Sequence, residues 1–401
     1  MKYTLEDLEI MEELRTEGVS WREIAERFDG SETGIRSAYC RRHTGEKEPS
    51  PVVAKKAITE EEPKSVQKAR IIAAEHRKLS QKLLAKEIVL DDVIDAVRDA
   101  TRALNKPLKI KPIMTEHVTD KNLTVEILFS DCQIGKLIKG NEDEIYYDTE
   151  IAIRRIGYFA EVAIKEIKKK LELGYGVEKL VIALLGDIIE SDAKHETSYH
   201  GVDTSTSEQI TNSITGIFRE FLAPLFSLGI PADVICIAGN HDWDRKGMSS
   251  TRAGRTMLTY PIYVALEQIT IGHGMDHVKF IIPPGSYAHY EIYGHQTIYE
   301  HGYQLGSINP EGIAKLRHRR TDQTKKHIDY FRVGDKHQQF MLDNGKIIVN
   351  GAFFHDTRAL EYSGQLGFSS TPGQYVLFHT QREDMRNSIY NVMQVQLGHI
   401  L

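Results

Sequence analysis

Between residues 122 and 337, five apolar runs each break off into a short cluster of polar and small residues. This repeated ending constrains the fold more than any other feature of the chain. The run 123–129 leads into Ser130-Asp131-Cys132-Gln133-Ile134-Gly135, and 179–185 leads into Gly186-Asp187-Ile188-Ile189-Glu190. The run 232–237 ends in Ala238-Gly239-Asn240-His241-Asp242. A fourth, 297–300, closes on Glu300-His301-Gly302, and a fifth, opening near Tyr330, closes on Val333-Gly334-Asp335-Lys336-His337. Short apolar runs bounded by such residues read as buried strands, while 148–173 and 207–228 carry the 3.6-residue period of amphipathic helices. Strands at 287–293 and a β-rich stretch from Tyr330 onward follow, with Asn344-Gly345 as a hairpin turn between two apolar runs. This alternation is that of an α/β fold, in which ligands bind at the carboxyl ends of the strands. Five polar clusters so placed converge on one crevice. Their carboxylates, carboxamides and imidazoles suit Mn²⁺, Fe or Zn²⁺.

Singly, an Asp after a strand is more often a helix cap than a ligand; the ordered set at these spacings is far more specific. It resembles the calcineurin-like metallophosphoesterase superfamily, whose motifs run D-x-H, G-D-x-x-[DE], G-N-H-[DE], H and G-H-x-H. The resemblance covers roughly residues 122–380, and its opening Ser130-Asp131-x-x-Ile134-Gly135 is similar to that of the SbcD-like DNA-repair nucleases. It implies a two-sheet sandwich flanked by helices that holds two divalent metals about 3.5–4 Å apart. Carried over by motif position, one metal takes Asp131, Gln133, Asp187 and His337. The other takes Asp187, Asn240, His301 and Asp335, with Asp187 bridging. By the same resemblance His241 is catalytic rather than a ligand, protonating the leaving oxygen of a phosphoester.

Two positions depart from the pattern. Gln133 stands where the first motif has His, and Asp335 where the last has its first His. A neutral carbonyl and an added carboxylate together favour Mn²⁺ or Mg²⁺ over Zn²⁺. His195 and His200 mimic H-E-x-x-H but are one residue too far apart to share a zinc on a helix, so 191–206 reads as a loop over the site.

Ahead of this region, residues 1–45 read as three short helices. Capping-box pairs open the first two, Thr4 with Asp7 and Ser20 with Glu23. Leu5, Leu8, Met11 and Leu14, then Trp21, Ile24, Ala25 and Phe28, mark their buried faces. The segment resembles a Myb-like or helix-turn-helix DNA-binding domain. It holds 7 Lys/Arg against 10 Asp/Glu, so nucleic-acid contact would rest on the third helix, through Arg36, Arg41 and Arg42. Residues 46–63 are a polar linker, 64–121 a helical connector and 122–401 the catalytic domain. The stretches 64–86 and 315–327 are basic, with 7 and 6 Lys/Arg against a single acid each, and the second contributes Arg317, Arg319 and Arg320 as nucleic-acid contacts.

The expected function is therefore a metal-dependent phosphodiesterase acting on DNA, as an exo- or endonuclease. The alternatives are a phosphomonoesterase or small-nucleotide phosphodiesterase, or a DNA-binding regulator with a vestigial phosphoesterase site. The chain as a whole is acidic at −6, which argues against a simple polyanion binder and places weight on local charge. Three cysteines without a C-x-x-C pair fit a reducing cytoplasm, and no apolar stretch is long enough for a membrane span. DNA is the expected partner, and a homo-oligomeric state is left open.

Overall fold

The computed structural model describes residues 121–140, 144–191, 201–243, 254–305, 309–355, 371–381 and 387–401, the helix at 91–104, and parts of 7–28. Arg36, Arg41, Arg42, the third N-terminal helix, the linker 46–63, the basic stretch 64–86, His195 and His200 lie outside them. The chain divides into two compact units, Met1–Leu83 and Leu84–Leu401. In the first, the helix Trp21–Arg27 buries Ile24 and Ala25.

The second unit is a two-sheet α/β sandwich flanked by helices, the architecture that the motif series implies. One sheet has the order β13-β12-β1-β4-β5-β6. Its strands are β1 (Asn122–Phe129), β4 (Gly176–Leu184), β5 (Ala232–Cys236), β6 (Val278–Ile281), β12 (Gly373–Thr380) and β13 (Ile389–Gln396). The pairings β1–β4, β4–β5 and β5–β6 are parallel, and β12 returns antiparallel beside β1. The other sheet has the order β10-β11-β9-β8-β7. It comprises β7 (Tyr287–Ile292), β8 (His295–Glu300), β9 (Tyr330–Val333), β10 (Phe340–Leu342) and β11 (Ile347–Val349). β8, β9 and β11 are mutually parallel. A short pair, β2 (Ile138–Lys139) with β3 (Ile145–Tyr147), lies apart.

Alternation along the strands sorts the side chains into layers. On β1, Leu123, Val125, Ile127 and Phe129 face a core built with the helices, while Leu128 joins the core between the sheets. The helix Thr149–Glu172 opens on Asp148, whose carboxylate accepts from the Ile151 N–H at 2.8 Å, and buries Ile151, Ile156, Phe159, Ala163 and Ile167. Those positions recur at three to five residues, one stripe of a 3.6-residue helix. The helix Thr206–Gly216 starts from a Ser205/Glu208 capping box and continues as a π-helical stretch, Ile217–Leu222, into Ala223–Phe226. Residues 91–104 pack on the same core through Ala96, Ala100 and Leu104, and so belong with the second unit. The outer face of the second sheet is covered by the helix Pro310–Thr324 through Ile313 and Leu316. The Asn344-Gly345 turn is found between β10 and β11. Among the described residues no helix is long and apolar enough to cross a membrane.

Between the two sheets lies a fully buried polar cluster. Glu126 on β1 accepts from Arg332 Nε at 2.9 and 3.0 Å, from the Tyr299 hydroxyl at 2.6 Å, and faces His379 Nε2 at 3.0 Å. Burial alone would raise the Glu126 carboxyl, but Arg332 and His379 outweigh it and bring it down to about 2. Glu126 is therefore a carboxylate throughout the ordinary pH range.

Candidate metal centre

The parallel strands of both sheets end on one side of the sandwich, and their loops meet there. Backbone hydrogen bonds continue beyond the strands: Asp131 N donates to Gly186 O at 3.1 Å, Gln133 N to Asp187 O at 3.0 Å, and Gly334 N to His301 O at 2.7 Å. Two glycines permit the approach. Gly186 adopts φ +94°, and a Cβ there would lie 2.5 Å from the Gly239 nitrogen; a Cβ on Gly334 would lie 2.5 Å from Asp131 Oδ2.

The loops bring Asp131, Gln133, Asp187, His301, Asp335 and His337 into one cluster. Single ligand atoms of Asp131, Asp187 and His301 all lie within 4.8 Å of one another. His301 Nε2 is 3.1 Å from Asp187 Oδ2 and 3.6 Å from Asp335 Oδ1. His337 Nε2 is 3.5 Å from Asp131 Oδ1 and 3.5 Å from the Gln133 amide nitrogen, which donates to Asp187 Oδ2 at 3.4 Å. Asp187 Oδ2 thus faces both Gln133 and His301, while Asp131 faces His337, lies 4.0 Å from His301 Nε2 and accepts from the Asp335 backbone N–H at 3.2 Å. Asn240 follows Gly239 in the third loop and is half-buried.

Backbone strain is concentrated here. Ten described non-glycine residues have φ in the left-handed region, and five are Asp131, Gln133, Asp187, Asp335 and His337. Each such residue costs roughly 1–2 kcal/mol. A fold holds that many strained positions together where side chains must aim at one point.

The cluster fits a cation on three observations. First, His301 Nδ1 lies 2.7 Å from Leu185 O, so Nδ1 carries a proton and Nε2 is the ring nitrogen turned toward the carboxylates. Second, Gln133 Oε1 is buried without a hydrogen-bond partner, as a carbonyl awaiting a cation would be. Third, the field demands positive charge. Burial opposes a proton on His301, yet Asp187, then Asp131 and Asp335, outweigh it and push the imidazole up to about 10. A proton held that tightly marks where a metal ion would be held instead.

His241 is 8% exposed at the edge of the cluster. Its backbone N–H donates to Asp187 Oδ1 at 2.7 Å, its Nδ1 is 3.2 Å from Glu190 Oε2, and its Nε2 lies 3.9 Å from Asp187 Oδ2. Lys136 Nζ reaches the same Glu190 oxygen at 3.7 Å and lies over the Phe354 ring. Glu190 therefore orients His241, a role that only its place three residues after Asp187 could have suggested. Asp242 does work invisible in the sequence. Its carboxylate accepts from the N–H groups of Asp187 and Ile188 at 3.1 Å each and from Gly239, pinning the second loop to the third. Burial, then Asp187, pushes its carboxyl up to about 7.

The arginines expected on nucleic acid are not a set. Arg320 is 7% exposed, paired with Glu300 and stacked 4.1 Å over the Tyr287 ring, which withdraws it from any ligand. Arg319 is exposed, and Arg317 is partly buried with Nη2 3.1 Å from His327 Nε2. The position of the run also differs from its closeness in sequence to Asp335. β8 and β9 are parallel, so the helix joining them runs back against both. It delivers Lys325, Lys326 and His327 where β9 begins, whereas Asp335 and His337 follow where it ends.

No family model and no curated protein matches the chain. Solved structures do match. Vps29 from Entamoeba histolytica, complexed with Zn²⁺, is 11% identical with a TM-score of 0.28 over 68% of this chain and 99% of its own. An archaeal phosphodiesterase is 11% identical with a TM-score of 0.30 over 68% and 99%. A predicted phosphoesterase from Streptococcus pneumoniae is 12% identical with a TM-score of 0.24 over 68% and 98%. At these identities and TM-scores the likeness carries no argument about the site.

Proposed function

We propose that the second unit is a metal-dependent phosphoester hydrolase of the calcineurin-like metallophosphoesterase kind, with two divalent cations sharing Asp187. The convergence of Asp131, Asp187 and His301 from three different strand ends, with Gln133 Oε1 left unsatisfied, carries the reading. Asp131, Gln133, Asp187 and His337 would hold one ion; Asp187, Asn240, His301 and Asp335 the other. Oxygen and imidazole donors without thiolate accept Mn²⁺, Mg²⁺ or Zn²⁺, and we favour Mn²⁺ because Gln133 and Asp335 add oxygen in place of nitrogen. Such ions supply Lewis acidity toward a phosphoryl group and lower the pKa of water.

The chain's own residues do the rest. His241, oriented by Glu190 at Nδ1, is the residue placed at the edge of the cluster to pass a proton to a leaving alkoxide. Asp242 and the backbone hydrogen bonds between loops hold the donors before substrate arrives, so little reorganisation is needed during the reaction. The finer reading is a phosphodiesterase acting on DNA. It draws on the helix-turn-helix resemblance of residues 1–45 and the basic stretch 64–86. A smaller phosphoester is favoured by one observation: the basic run 315–327 loses Arg320 to Glu300 and places its last residues away from the site.

The test is incubation with Mn²⁺ and labelled single- and double-stranded DNA, alongside a chromogenic diester and monoester. Cleavage of DNA and diester, abolished by chelator, is the expected result. Turnover of small esters alone selects the smaller substrate. No turnover together with no cation uptake leaves a DNA-binding regulator with a vestigial site.

A further inference from the structure

The proposed centre is assembled from two sheets between which, among the described residues, no strand pairs; backbone hydrogen bonds join them only past the strand ends, from Phe353 to Asp131 O at 3.1 Å and from Gly373 to Ala352 O at 3.0 Å. Asp131 and Asp187 follow β1 and β4 of one sheet; His301, Asp335 and His337 follow β8 and β9 of the other. Their relative placement depends on how the sheets sit on each other. Most of that interface is apolar, with Leu128, Val181, Ala183 and Ile235 against Tyr299, Tyr330 and Ile348. Apolar packing is non-directional and tolerates sliding better than a hydrogen bond does.

The Glu126 cluster is directional, and its members lie close in sequence to the centre. Arg332 is three residues before Asp335, Tyr299 two before His301, and Glu126 five before Asp131. Arg332 Nε divides its donation between both Glu126 oxygens, while its Nη1 holds the carbonyls of Phe331, Gly345 and Lys346 at 2.9–3.0 Å. Both β8 and β9 are thereby fastened to one point on β1. The neighbouring Ser130–Asn350–Gln374 hydrogen bonds tie the end of β11, not β8 or β9.

We infer that the Glu126–Arg332–Tyr299 lock sets the register between the sheets and thereby the spacing of the metal ligands; these are positioning residues for the centre. The inference rests on the metal reading above and goes beyond it. A purely stabilising role is a poor account of the lock. Arg332 Nη2 is buried without a partner, and an imperfectly satisfied buried ion pair is typically no more stable than an apolar replacement.

The double variant Glu126→Leu/Arg332→Met separates the two roles. It removes both charges together and leaves neither buried alone, although the Tyr299 hydroxyl, His379 Nε2 and the carbonyls of Phe331, Gly345 and Lys346 lose a partner. The measurement is Co²⁺ titration of the full chain, followed by the visible absorption of the bound ion, with the melting temperature in chelator. Expected is a folded protein whose melting temperature in chelator falls with the loss of those hydrogen bonds, a changed Co²⁺ spectrum, and cation affinity weakened roughly 10- to 100-fold, as when residues supporting ligands are removed. Wild-type spectrum and affinity in a folded double variant overturn the inference. Tyr299→Phe and Arg332→Lys carry the same test if the double variant does not fold. Each must shift the Co²⁺ spectrum, and a wild-type spectrum in either overturns the lock. Wild-type protein that takes up no Co²⁺ overturns the metal reading and the inference with it; uptake with unresponsive variants overturns the inference alone.

Discussion

Asp187→Asn removes one negative charge from the middle of the cluster and little else. The amide has the carboxylate's shape, and the side chain is 1% exposed, so neither cavity nor clash results. The metal-free protein offers a quantitative test. His301 is held protonated up to about 10, against an ordinary value near 6.5, with Asp187 at 3.1 Å the strongest stabilising neighbour. A raised pKa in the folded state contributes stability fully below the unfolded value and loses it as pH rises through the folded one. In chelator the wild type should therefore weaken between about pH 6.5 and 10, by on the order of 5 kcal/mol at about 1.4 kcal/mol per unit. Asp242, raised to about 7, adds a loss of the same sign between pH 4 and 7. In Asp187→Asn the loss above pH 6.5 should shrink to less than about half, because the nearest of the three carboxylates is gone. Saturating Mn²⁺ should abolish the loss above pH 6.5 in the wild type, the cation replacing the His301 proton. Urea unfolding at several pH values, with chelator and with Mn²⁺, measures each curve. A wild-type stability that stays flat from pH 6.5 to 10 in chelator would refute the electrostatic reasoning, as would an Asn variant that binds Mn²⁺ at both sites with wild-type affinity.

Three further outcomes follow from the geometry. His241→Ala should lower turnover by roughly 10²–10⁴-fold with Mn²⁺ content unchanged, since its contacts are to Glu190 and the edge of Asp187; elemental analysis showing loss of metal would make it a ligand. Gln133→His should tighten Mn²⁺ binding, imidazole being the better donor, and calorimetry showing equal or weaker affinity would place residue 133 outside the coordination sphere. Arg320→Ala should destabilise the fold by about 3–5 kcal/mol by leaving Glu300 buried without its cation, while Arg319→Ala should leave the melting temperature unchanged and, if DNA is the substrate, lower the salt slope of binding by about one phosphate contact.

The strand ends were legible in the sequence because a buried strand needs a short apolar run, and the polar residues that follow it have few roles besides caps and ligands. The helix Thr259–Gly272 escaped such a reading: Thr-Tyr-Pro-Ile-Tyr-Val-Ala-Leu is β-branched and apolar on every side, so no helical period stands out. The place of the basic run was not legible for a topological reason. Closeness in sequence to Asp335 says nothing of direction, and only the parallel pairing of β8 with β9 shows that the intervening helix runs away from the centre. Arg320 reads as one more exposed cation until Glu300 is found beneath it. Asp242, beyond its bond to Gly239, and Glu126 act on partners 54 to 253 residues away, across loops and sheets whose approach no local pattern encodes.

The central claim is that Asp187 joins two cations at the meeting point of the two sheets. Anomalous diffraction from crystals soaked in Mn²⁺ tests it most directly. The account predicts two peaks about 3.5–4 Å apart, as in two-metal hydrolases generally. Asp187 should lie between them, with His337 on one side and His301 on the other. One peak, or two that do not share Asp187, would contradict it.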